Sequence, residues 1–317
     1  MGFLRFILAV PTGAVAFVCA LAAVVSQGGR WKPEFDVASH FAPFWVAGGV
    51  AVLALAPFLF RGAGRAVVAM LGAVAVFGAG QLIWVELSRP ASPAAPTGGA
   101  NEFKIVQFNT LGRNRDLDGT ADWIAAQNAD VIVVEEAQPA IRDAIVKRTG
   151  YHVTCRRCQV MIFSKAKPVA DGGDLTNYGG PRAPTVWARF DAPGGPFTVV
   201  GVHYTWPTGG DVQQRQAFRL AETLDKLPKA RTVLCGDFNS TPWSQARRHQ
   251  DQRFGLERRT RALFSWPTKV GRFDVPFPFL PIDHVYAGPD WRTVSVTRGP
   301  RLGSDHYPLV AVLALKT

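Results

Sequence analysis

Three long apolar stretches dominate the first third of the chain. They are Phe6–Ser26, Phe41–Phe60 and Ala66–Val85, and none contains a charged residue. A helix of about twenty residues crosses a hydrocarbon layer of about 30 Å. The first stretch has the length of a signal peptide, but no A-x-A site ends it and a second stretch follows closely. We therefore predict a membrane anchor over residues 1–87 with three transmembrane helices, whose frequent Gly and Ala allow close packing.

The short loops between these stretches bear on orientation. Residues 61–65 carry two arginines and no acid, whereas residues 27–40 carry Arg30 and Lys32 beside two acids. Because Lys and Arg set topology, the two loops are nearly matched, and Arg5 with the N-terminal amine favours a cytoplasmic N-terminus. The prediction is a multi-pass protein of the bacterial inner (plasma) membrane whose C-terminal domain is extracytoplasmic.

The pattern changes after the anchor. Residues 88–101 are rich in Pro, Ala and Gly, which is typical of a semi-extended linker. Residues 102–317 then contain short apolar runs of strand length and two helical segments, Gly119–Asn128 and Val212–Lys226. The runs are FKIVQFN, DVIVVEE, VMIFS, TVVGVHY, TVLCGDFN, IDHVYAG and LVAVLAL. Strands mixed with helices on this scale predict an α/β domain.

Charge and cysteine content support this division. The first 101 residues carry 6 Lys/Arg and 3 Asp/Glu, so most of the chain's net charge of +11 lies in the later domain. This excess fits a polyanionic partner, such as nucleic acid or an anionic lipid surface, but also ordinary solubility. Cys155 and Cys158 form a CRRC motif, open to a disulfide, a redox pair or half a metal site. An extracytoplasmic location favours the disulfide.

Polar side chains end most of the predicted strands, and these are the candidate functional residues. They are Asn109, Glu136, His203, Asp237 with Asn239, and Asp283 with His284, and a Gly-Ser-Asp-His cluster at 303–306 precedes the final strand. Each alone is explained by a turn, a solvated charge or a satisfied buried histidine. Strands that converge on one edge of a sheet would bring them together in one site.

These motifs, in this order, resemble the endonuclease/exonuclease/phosphatase superfamily of DNase I-like phosphoesterases. The matching segments are IVQFNT, DVIVVEE, GVH, GDFN, IDH and GSDH, spread over most of residues 102–317. The resemblance implies a four-layer α/β/β/α sandwich, here preceded by three transmembrane helices. It also implies an enzyme that hydrolyses phosphate esters with a divalent metal.

The resemblance assigns roles to individual residues. Glu136, with Asn109 and Asp305, is expected to bind Mg²⁺, or alternatively Mn²⁺, since these ions prefer oxygen ligands. The expected catalytic residues are Asp237 for the attacking water, Asn239 and His203 for phosphoryl oxygens, and His306 oriented by Asp283.

Two positions depart from the family pattern. Glu135 stands where relatives often carry Gln, and His284 follows Asp283 where many carry an apolar residue. An extra carboxylate could strengthen metal binding, but strand alternation favours an orientation of both side chains away from the site.

The substrate has several candidates. The anchor favours a phosphorylated membrane lipid or a lipid-linked carrier, and three spans before this domain resemble bacterial teicoplanin-resistance phosphoesterases that act on a polyprenyl pyrophosphate. The alternatives are an anchored nuclease acting on extracytoplasmic DNA or RNA, and a catalytically silent binding module. The complete set of site residues argues against the silent module. Aromatic residues in Ser265–Pro281 either pack under the sheet or form a loop that contacts lipid headgroups.

The topology yields a prediction. A reporter that works only in the cytoplasm, fused after Thr317, should be inactive, and one that works only outside should be active, because three spans place the C-terminus opposite a cytoplasmic N-terminus. Activity of the cytoplasmic reporter alone would reverse the predicted orientation.

Overall fold

The computed structural model describes residues 2–99, 101–176, 178–209 and 211–316, so Ala100 of the predicted linker and Thr317 lie outside the described residues. The chain divides into two compact units. The first unit contains Met1–Pro90 together with Thr241–His249, and the second contains Ala91–Ser240 and Gln250–Thr317.

Four helices form most of the first unit. They are α1 (Gly2–Gln27), the short α2 (Pro33–Asp36), α3 (Ala42–Leu59) and α4 (Gly62–Leu87), with 3-10 turns at Gly28–Arg30 and Val37–Phe41. Three segments of this unit, at residues 2–30, 33–59 and 62–87, are long and apolar enough to cross a membrane. Large apolar side chains such as Phe17, Phe58 and Phe77 are exposed on them. Helices that are apolar all round are typical of contact with lipid.

Small residues let α3 and α4 approach closely. A Cβ added to Gly49 would lie 2.8 Å from the carbonyl oxygen of Gly72, so only glycine fits there. This close contact agrees with the packing that the Gly and Ala content predicts.

The segment between α1 and α3 holds buried polar groups. The two carboxylate oxygens of Asp36 accept hydrogen bonds from the backbone N–H groups of Gln245 and Ala246, each at 2.8 Å. His40 Nδ1 lies 3.1 Å from the backbone nitrogen of Thr241. Asp36 thereby caps the helix that begins at Gln245, where a negative charge is favourable. No sequence pattern indicated this role for Asp36 and His40.

Two six-stranded mixed sheets form the centre of the second unit. The first has the strand order β13-β14-β1-β2-β4-β3 and the second β5-β6-β7-β8-β12-β9, while β10 and β11 form a separate hairpin. Pairs β1/β2 and β7/β8 are parallel, and the other pairs are antiparallel. The strands are β1 (Glu102–Asn109), β2 (Val131–Glu135), β3 (His152–Thr154), β4 (Met161–Ser164), β5 (Ala170–Gly173), β6 (Thr185–Phe190), β7 (Phe197–His203), β8 (Thr232–Asp237), β9 (Glu257–Arg258), β10 (Lys269–Val270), β11 (Phe273–Asp274), β12 (Asp283–Ala287), β13 (Trp291–Arg298) and β14 (Leu309–Leu315).

Helices cover the outer faces of both sheets. The helices are α5 (Leu117–Ala126), α6 (Pro139–Thr149), α7 (Val212–Leu224) and α8 (Gln245–Phe254), and α8 is shared between the two units. Ile124 of α5 and Ile141 of α6 pack on the first sheet, and Leu220 of α7 packs on the second. A third apolar cluster fills the space between the sheets. The four-layer α/β/β/α sandwich is therefore as predicted.

All seven apolar runs form strands, and both helical segments form helices. The runs correspond to β1, β2, β4, β7, β8, β12 and β14, and the helices to α5 and α7. No predicted run corresponds to β6 and β13, where polar residues such as Arg189 and Thr293 alternate with apolar ones, or to the short strands β3, β5, β9, β10 and β11. The helices α6 and α8 were not predicted either. Within the predicted linker, Pro93 and Ala95 form backbone hydrogen bonds with Thr293 of β13.

Strand alternation places the candidate side chains between the two sheets. In β1, Ile105 faces the inter-sheet core, so Asn109 four residues later lies on the same face. In β8, Val233 and Cys235 face this core, and Asp237 follows them in phase. The apolar core thus gives way to polar side chains at one end of the sandwich.

Gly201 of β7 leads to a stability prediction. A Cβ there would lie 2.5 Å from Cγ1 of Val133 in the opposite sheet. We expect Gly201→Ala to lower the free energy of unfolding by about 1–3 kcal/mol, the usual cost of overpacking, in denaturant titrations of the purified protein. Gly99→Ala is the control, since a Cβ there meets nothing within 4 Å. Equal stability of the two variants would contradict this packing.

Candidate active site

Asp237 lies where the candidate side chains converge. It ends β8 and is fully buried, and its Oδ1 accepts a 2.8 Å hydrogen bond from the backbone N–H of Asn239. Its Oδ2 accepts a 3.1 Å hydrogen bond from Asn109 Nδ2. The Nε2 atoms of His203 and His306 are both 3.5 Å from the same Oδ2. These five residues come from three strands and two loops and converge on the Asp237 carboxylate.

Asp283 orients His306. Asp283 begins β12, directly opposite Asp237 in the antiparallel pair with β8. Its Oδ2 accepts a 2.8 Å hydrogen bond from His306 Nδ1, which leaves Nε2 of the imidazole directed at Asp237. The hydroxyl of Ser304 donates to the backbone carbonyl of Asn109 at 2.7 Å and accepts from the backbone N–H of His306 at 3.1 Å. The Asp283–His306 pair that the sequence predicted is therefore present.

Glu136 reaches the site through an unusual backbone conformation. Its φ of +52° is in the left-handed region, which is uncommon for residues other than glycine. Its carboxylate accepts hydrogen bonds from Gly112 N at 2.8 Å and from Asn109 Nδ2 at 3.2 Å. Asn109 thus bridges Glu136 and Asp237.

These residues line one open cavity of about 260 Å³. Its lining contains seven of the eight predicted site residues, and the eighth, Asp283, lies behind His306. The predicted residues in the lining are Asn109, Glu136, His203, Asp237, Asn239, Asp305 and His306.

Sequence reasoning missed several residues of this cavity. Arg113, Tyr178 and Trp206 also line it. The ring of Tyr178 lies 4.8 Å from that of His203, and its hydroxyl accepts a 3.1 Å hydrogen bond from the backbone N–H of Trp206. Arg113 comes four residues after Asn109, and a cationic side chain so near a candidate phosphate site could have indicated from the sequence that it belongs to the cavity. Tyr178 lies in a loop without any local signal.

Glu135 corrects a prediction. It does not turn away from the site: it is fully buried and hydrogen bonded by Gln107, which also contacts Asp283. The reason is that Glu135 pairs with Asn109 in the strand register and shares its inter-sheet face, while the left-handed backbone of Glu136 breaks the alternation. His284 does point away, as predicted, and contacts the carbonyl of Ser240 at 2.8 Å.

Burial and neighbouring charge set the protonation of the site. Burial lowers the pKa of His203 to about 3, and His306 nearby adds to this, so His203 is neutral. Burial would also lower the pKa of His306, but the carboxylates of Asp283 and Asp237 outweigh it and raise this pKa to about 10. Burial raises the pKa of Asp237 to about 7, with His306 opposing and Asp283 adding to the shift. The histidines differ because only His306 has a directly hydrogen-bonded carboxylate.

The donor set suits a divalent cation. Asp237, Asp283 and His306 offer ligand atoms within 4.8 Å of one another, and Glu136 adds a further carboxylate to the same cavity. The side-chain oxygen of Asn239 is buried without a hydrogen-bond partner. Carboxylates that outnumber the imidazolium, together with amide oxygens, form an environment that a hard cation fits. The predicted metal residues Glu136, Asn109 and Asp305 share this cavity, but they are not the residues of the tight cluster.

A buried carboxylate, an imidazolium and amide groups surround one cavity at the ends of the two mixed sheets, and such groups suit the hydrolysis of phosphate esters. Residues 106–306 match the Endonuclease/Exonuclease/phosphatase family. The chain belongs to this family, and it is a hydrolase that acts on phosphoester bonds. No curated protein matches the sequence.

Solved structures share the fold at low identity. A mannosyl-6-phosphatase of Bacteroides thetaiotaomicron is 14% identical, with a TM-score of 0.55 over 67% of this chain and 100% of its own. A family member from Beutenbergia cavernae is 21% identical, with a TM-score of 0.52 over 68% and 72%. A humanized D. rerio TDP2 is 14% identical, with a TM-score of 0.51 over 67% and 98%.

The raised pKa of His306 predicts a pH-dependent contribution to stability. Because its folded-state pKa of about 10 exceeds the unfolded value of about 6.5, the protonated imidazole stabilises the fold below pH 6.5, and this contribution is lost as the pH rises to about 10. In the presence of a chelator, the melting temperature of wild type should be higher than that of His306→Gln. This difference should be largest at about pH 6 and smallest at about pH 10. A difference that stays constant across this range would contradict the ion pair with Asp283.

Proposed function

We propose that the chain is a membrane-anchored, Mg²⁺-dependent phosphoesterase that hydrolyses a phosphate ester or pyrophosphate of a membrane lipid or lipid-linked carrier. The observation that carries the chemistry is the convergence of His203, His306 and Asn109 on Asp237 Oδ2 in an open cavity. Phosphoryl transfer needs a positioned nucleophile and stabilised phosphoryl oxygens, and this arrangement provides groups for both.

His306 acts as the cationic hydrogen-bond donor. Its Nδ1 is bound to Asp283, and the pKa of its imidazole is raised to about 10, so Nε2 carries a proton near neutral pH. A phosphoryl oxygen that enters beside Asp237 accepts this N–H. Neutral His203 contacts a second phosphoryl oxygen. The two imidazoles thus stabilise, by hydrogen bonding, the negative charge that develops on the phosphoryl oxygens during hydrolysis.

Asp237 orients the attacking water and accepts its proton. Burial raises the pKa of the Asp237 carboxyl, and a bound divalent ion would lower it again, so that the ionised carboxylate can accept a proton from water. Asn239 donates from Nδ2 to the carbonyl of Tyr204 at 2.8 Å, and its backbone N–H holds Asp237 Oδ1. Its contact with a phosphoryl oxygen stays a prediction.

The metal site is assigned to Glu136, with Asn109 and Asp305. Carboxylate and amide oxygens in the same cavity as Asp237 favour Mg²⁺, and Mn²⁺ would suit them too. A bound divalent ion supplies charge neutralisation for the phosphoryl group and lowers the pKa of nearby acids and water. Glu136 is held for this role by Gly112 N and Asn109.

An exposed hairpin supports a lipid substrate. Val270, Phe273 and Phe277, on and beside the β10–β11 hairpin, are exposed, and the guanidinium of Arg272 lies 5.1 Å from the ring centre of Phe273. Aromatic rings with cationic side chains suit a membrane interface. Two other aromatic residues of Ser265–Pro281, Trp266 and Phe279, instead pack on each other with their ring centres 6.0 Å apart.

The segment that leads into the hairpin is hydrogen bonded to Ser304 and Asp305, next to His306. The backbone N–H of Thr268 donates to the carbonyl of Asp305 at 2.7 Å, and its hydroxyl donates to the carbonyl of Ser304 at 2.6 Å. The indole of Trp266 donates to the Asp305 carboxylate at 3.1 Å. A hairpin bound to lipid would therefore bring His306 close to the phosphates of the headgroups.

We assign the catalytic domain to the extracytoplasmic side of a multi-pass plasma-membrane protein. Three apolar helices long enough to span a membrane support this assignment. The disulfide between Cys155 and Cys158 supports it as well, since such bonds persist mainly in oxidising compartments.

A comparison of substrates tests the proposal. With Mg²⁺, the purified full-length protein should release phosphate from a polyprenyl pyrophosphate in mixed micelles and leave plasmid DNA intact. Asp237→Asn should lower the rate by at least about a thousandfold, because the residue that orients the water loses its basicity. Chelator should abolish the activity, and added Mg²⁺ should restore it.

Matched variants show which part of the proposal fails. The pair Phe273→Ser and Phe277→Ser should slow hydrolysis of the micellar lipid several-fold and leave a soluble chromogenic phosphoester unaffected. Nicking of plasmid without phosphate release from the lipid would contradict the lipid substrate and favour the nuclease. Identical behaviour of Asp237→Asn and wild type on every substrate would favour a catalytically silent binding module.

A further inference from the structure

Gln107 joins the two sheets beneath the active site. It lies in β1 two residues before Asn109, on the same inter-sheet face, and is 1% exposed. Its Nε2 donates to Glu135 Oε2 of the neighbouring strand at 3.0 Å and to Asp283 Oδ1 of the opposite sheet at 2.9 Å. Both hydrogens of one amide group are therefore committed to two carboxylates.

These bonds complete the orientation of Asp283. Its Oδ1 accepts from Gln107 and its Oδ2 accepts from His306 at 2.8 Å. A carboxylate held by a different donor at each oxygen has a fixed plane, and this plane sets the direction of the imidazole. Asp283 is buried at the start of β12, and without Gln107 its Oδ1 would lose this hydrogen-bond donor, which is costly for a buried acceptor.

Glu135 holds Gln107 in turn. Its carboxylate is 0% exposed, and its hydrogen bond with Gln107 keeps the amide nitrogen, rather than the amide oxygen, toward the two carboxylates. An acceptor at position 135 is therefore needed, and a glutamine there would still supply one through its carbonyl oxygen.

We propose that Gln107 and Glu135 are positioning residues, which fix Asp283 and through it His306 for phosphoester hydrolysis. This inference rests on the proposed function of the site. Neither side chain lines the catalytic cavity, so both act through Asp283 and not on the substrate.

Kinetics of substituted full-length protein test the inference. We expect Gln107→Leu to lower kcat by about 10–100-fold with KM within about twofold, as is usual for loss of a residue that orients a catalytic ligand. Glu135→Leu should lower kcat in the same direction. Glu135→Gln, which keeps an acceptor, should retain kcat within about threefold of wild type.

A control separates positioning from general destabilisation. Val133→Ala removes apolar volume from the same inter-sheet layer, two residues before Glu135, without touching the hydrogen bonds. It should lower the melting temperature and leave kcat unchanged. The inference is overturned if Gln107→Leu lowers only the melting temperature, or if Glu135→Gln and Glu135→Leu lose kcat equally.

A structural measurement keeps the inference testable if no activity is found. If wild type is no faster than Asp237→Asn on any phosphoester, the proposed function is contradicted, but the positioning role of Gln107 is not. A crystal structure of full-length Gln107→Leu then decides the positioning role. Rotation of the Asp283 carboxylate and loss of its 2.8 Å contact with His306 would support it, and an unchanged contact would overturn it. If Gln107→Leu does not fold, the comparison of Glu135→Gln with Glu135→Leu, by kinetics or by the same structural measurement, takes its place.

Discussion

The burial of carboxylates at one end of the sandwich is the constraint on which the catalytic unit depends. Asp237, Asp283 and Glu135 are each at most 1% exposed, and only His306 lies beside them as an imidazolium. A buried charge without partners costs several kcal/mol, so this part of the fold must provide donors. It does so through the backbone N–H of Asn239 and the side-chain amides of Asn109 and Gln107. The carboxyl oxygens gathered here, with the unpartnered amide oxygen of Asn239, are ligands that a divalent cation prefers.

The architecture explains how these groups meet. Each sheet contains one parallel pair, β1/β2 and β7/β8, and a parallel pair brings its carboxyl ends to the same edge. Antiparallel neighbours then bring the beginning of β12 beside the end of β8, so that Asp283 lies opposite Asp237. The parallel β7/β8 pair sets His203 in register with Asp237, and face-to-face packing of the two sheets adds Asn109. The polar residues lie at strand ends, so the middle of each strand can stay buried in the apolar core between the sheets.

Strand alternation was a reliable guide within strands and failed where a strand ended. It correctly placed His284 on the outer face, against Phe238 and Ser240. It misplaced Glu135, because the left-handed φ of Glu136 ends the alternation at this point. In addition, the pattern of one strand cannot indicate which of its two faces will pack against the other sheet. Tyr178 and Trp206 were missed because loop residues have no period, and their position follows only from the path of the chain.

The sequence by itself determined the three long apolar helices, the seven apolar strands and the set of candidate site residues. These follow from local properties: the length of an uncharged stretch, the period of apolar positions and the chemistry of ordered motifs. Only the tertiary structure decided that Asp237 is the point of convergence, that Gln107 connects Glu135 to Asp283, and that two phenylalanines of the hairpin are exposed while Trp266 is packed. The physical reason is that hydrogen bonds and burial depend on contacts between residues far apart in the chain, such as Gln107 and Asp283, and no local pattern specifies which distant groups share a face.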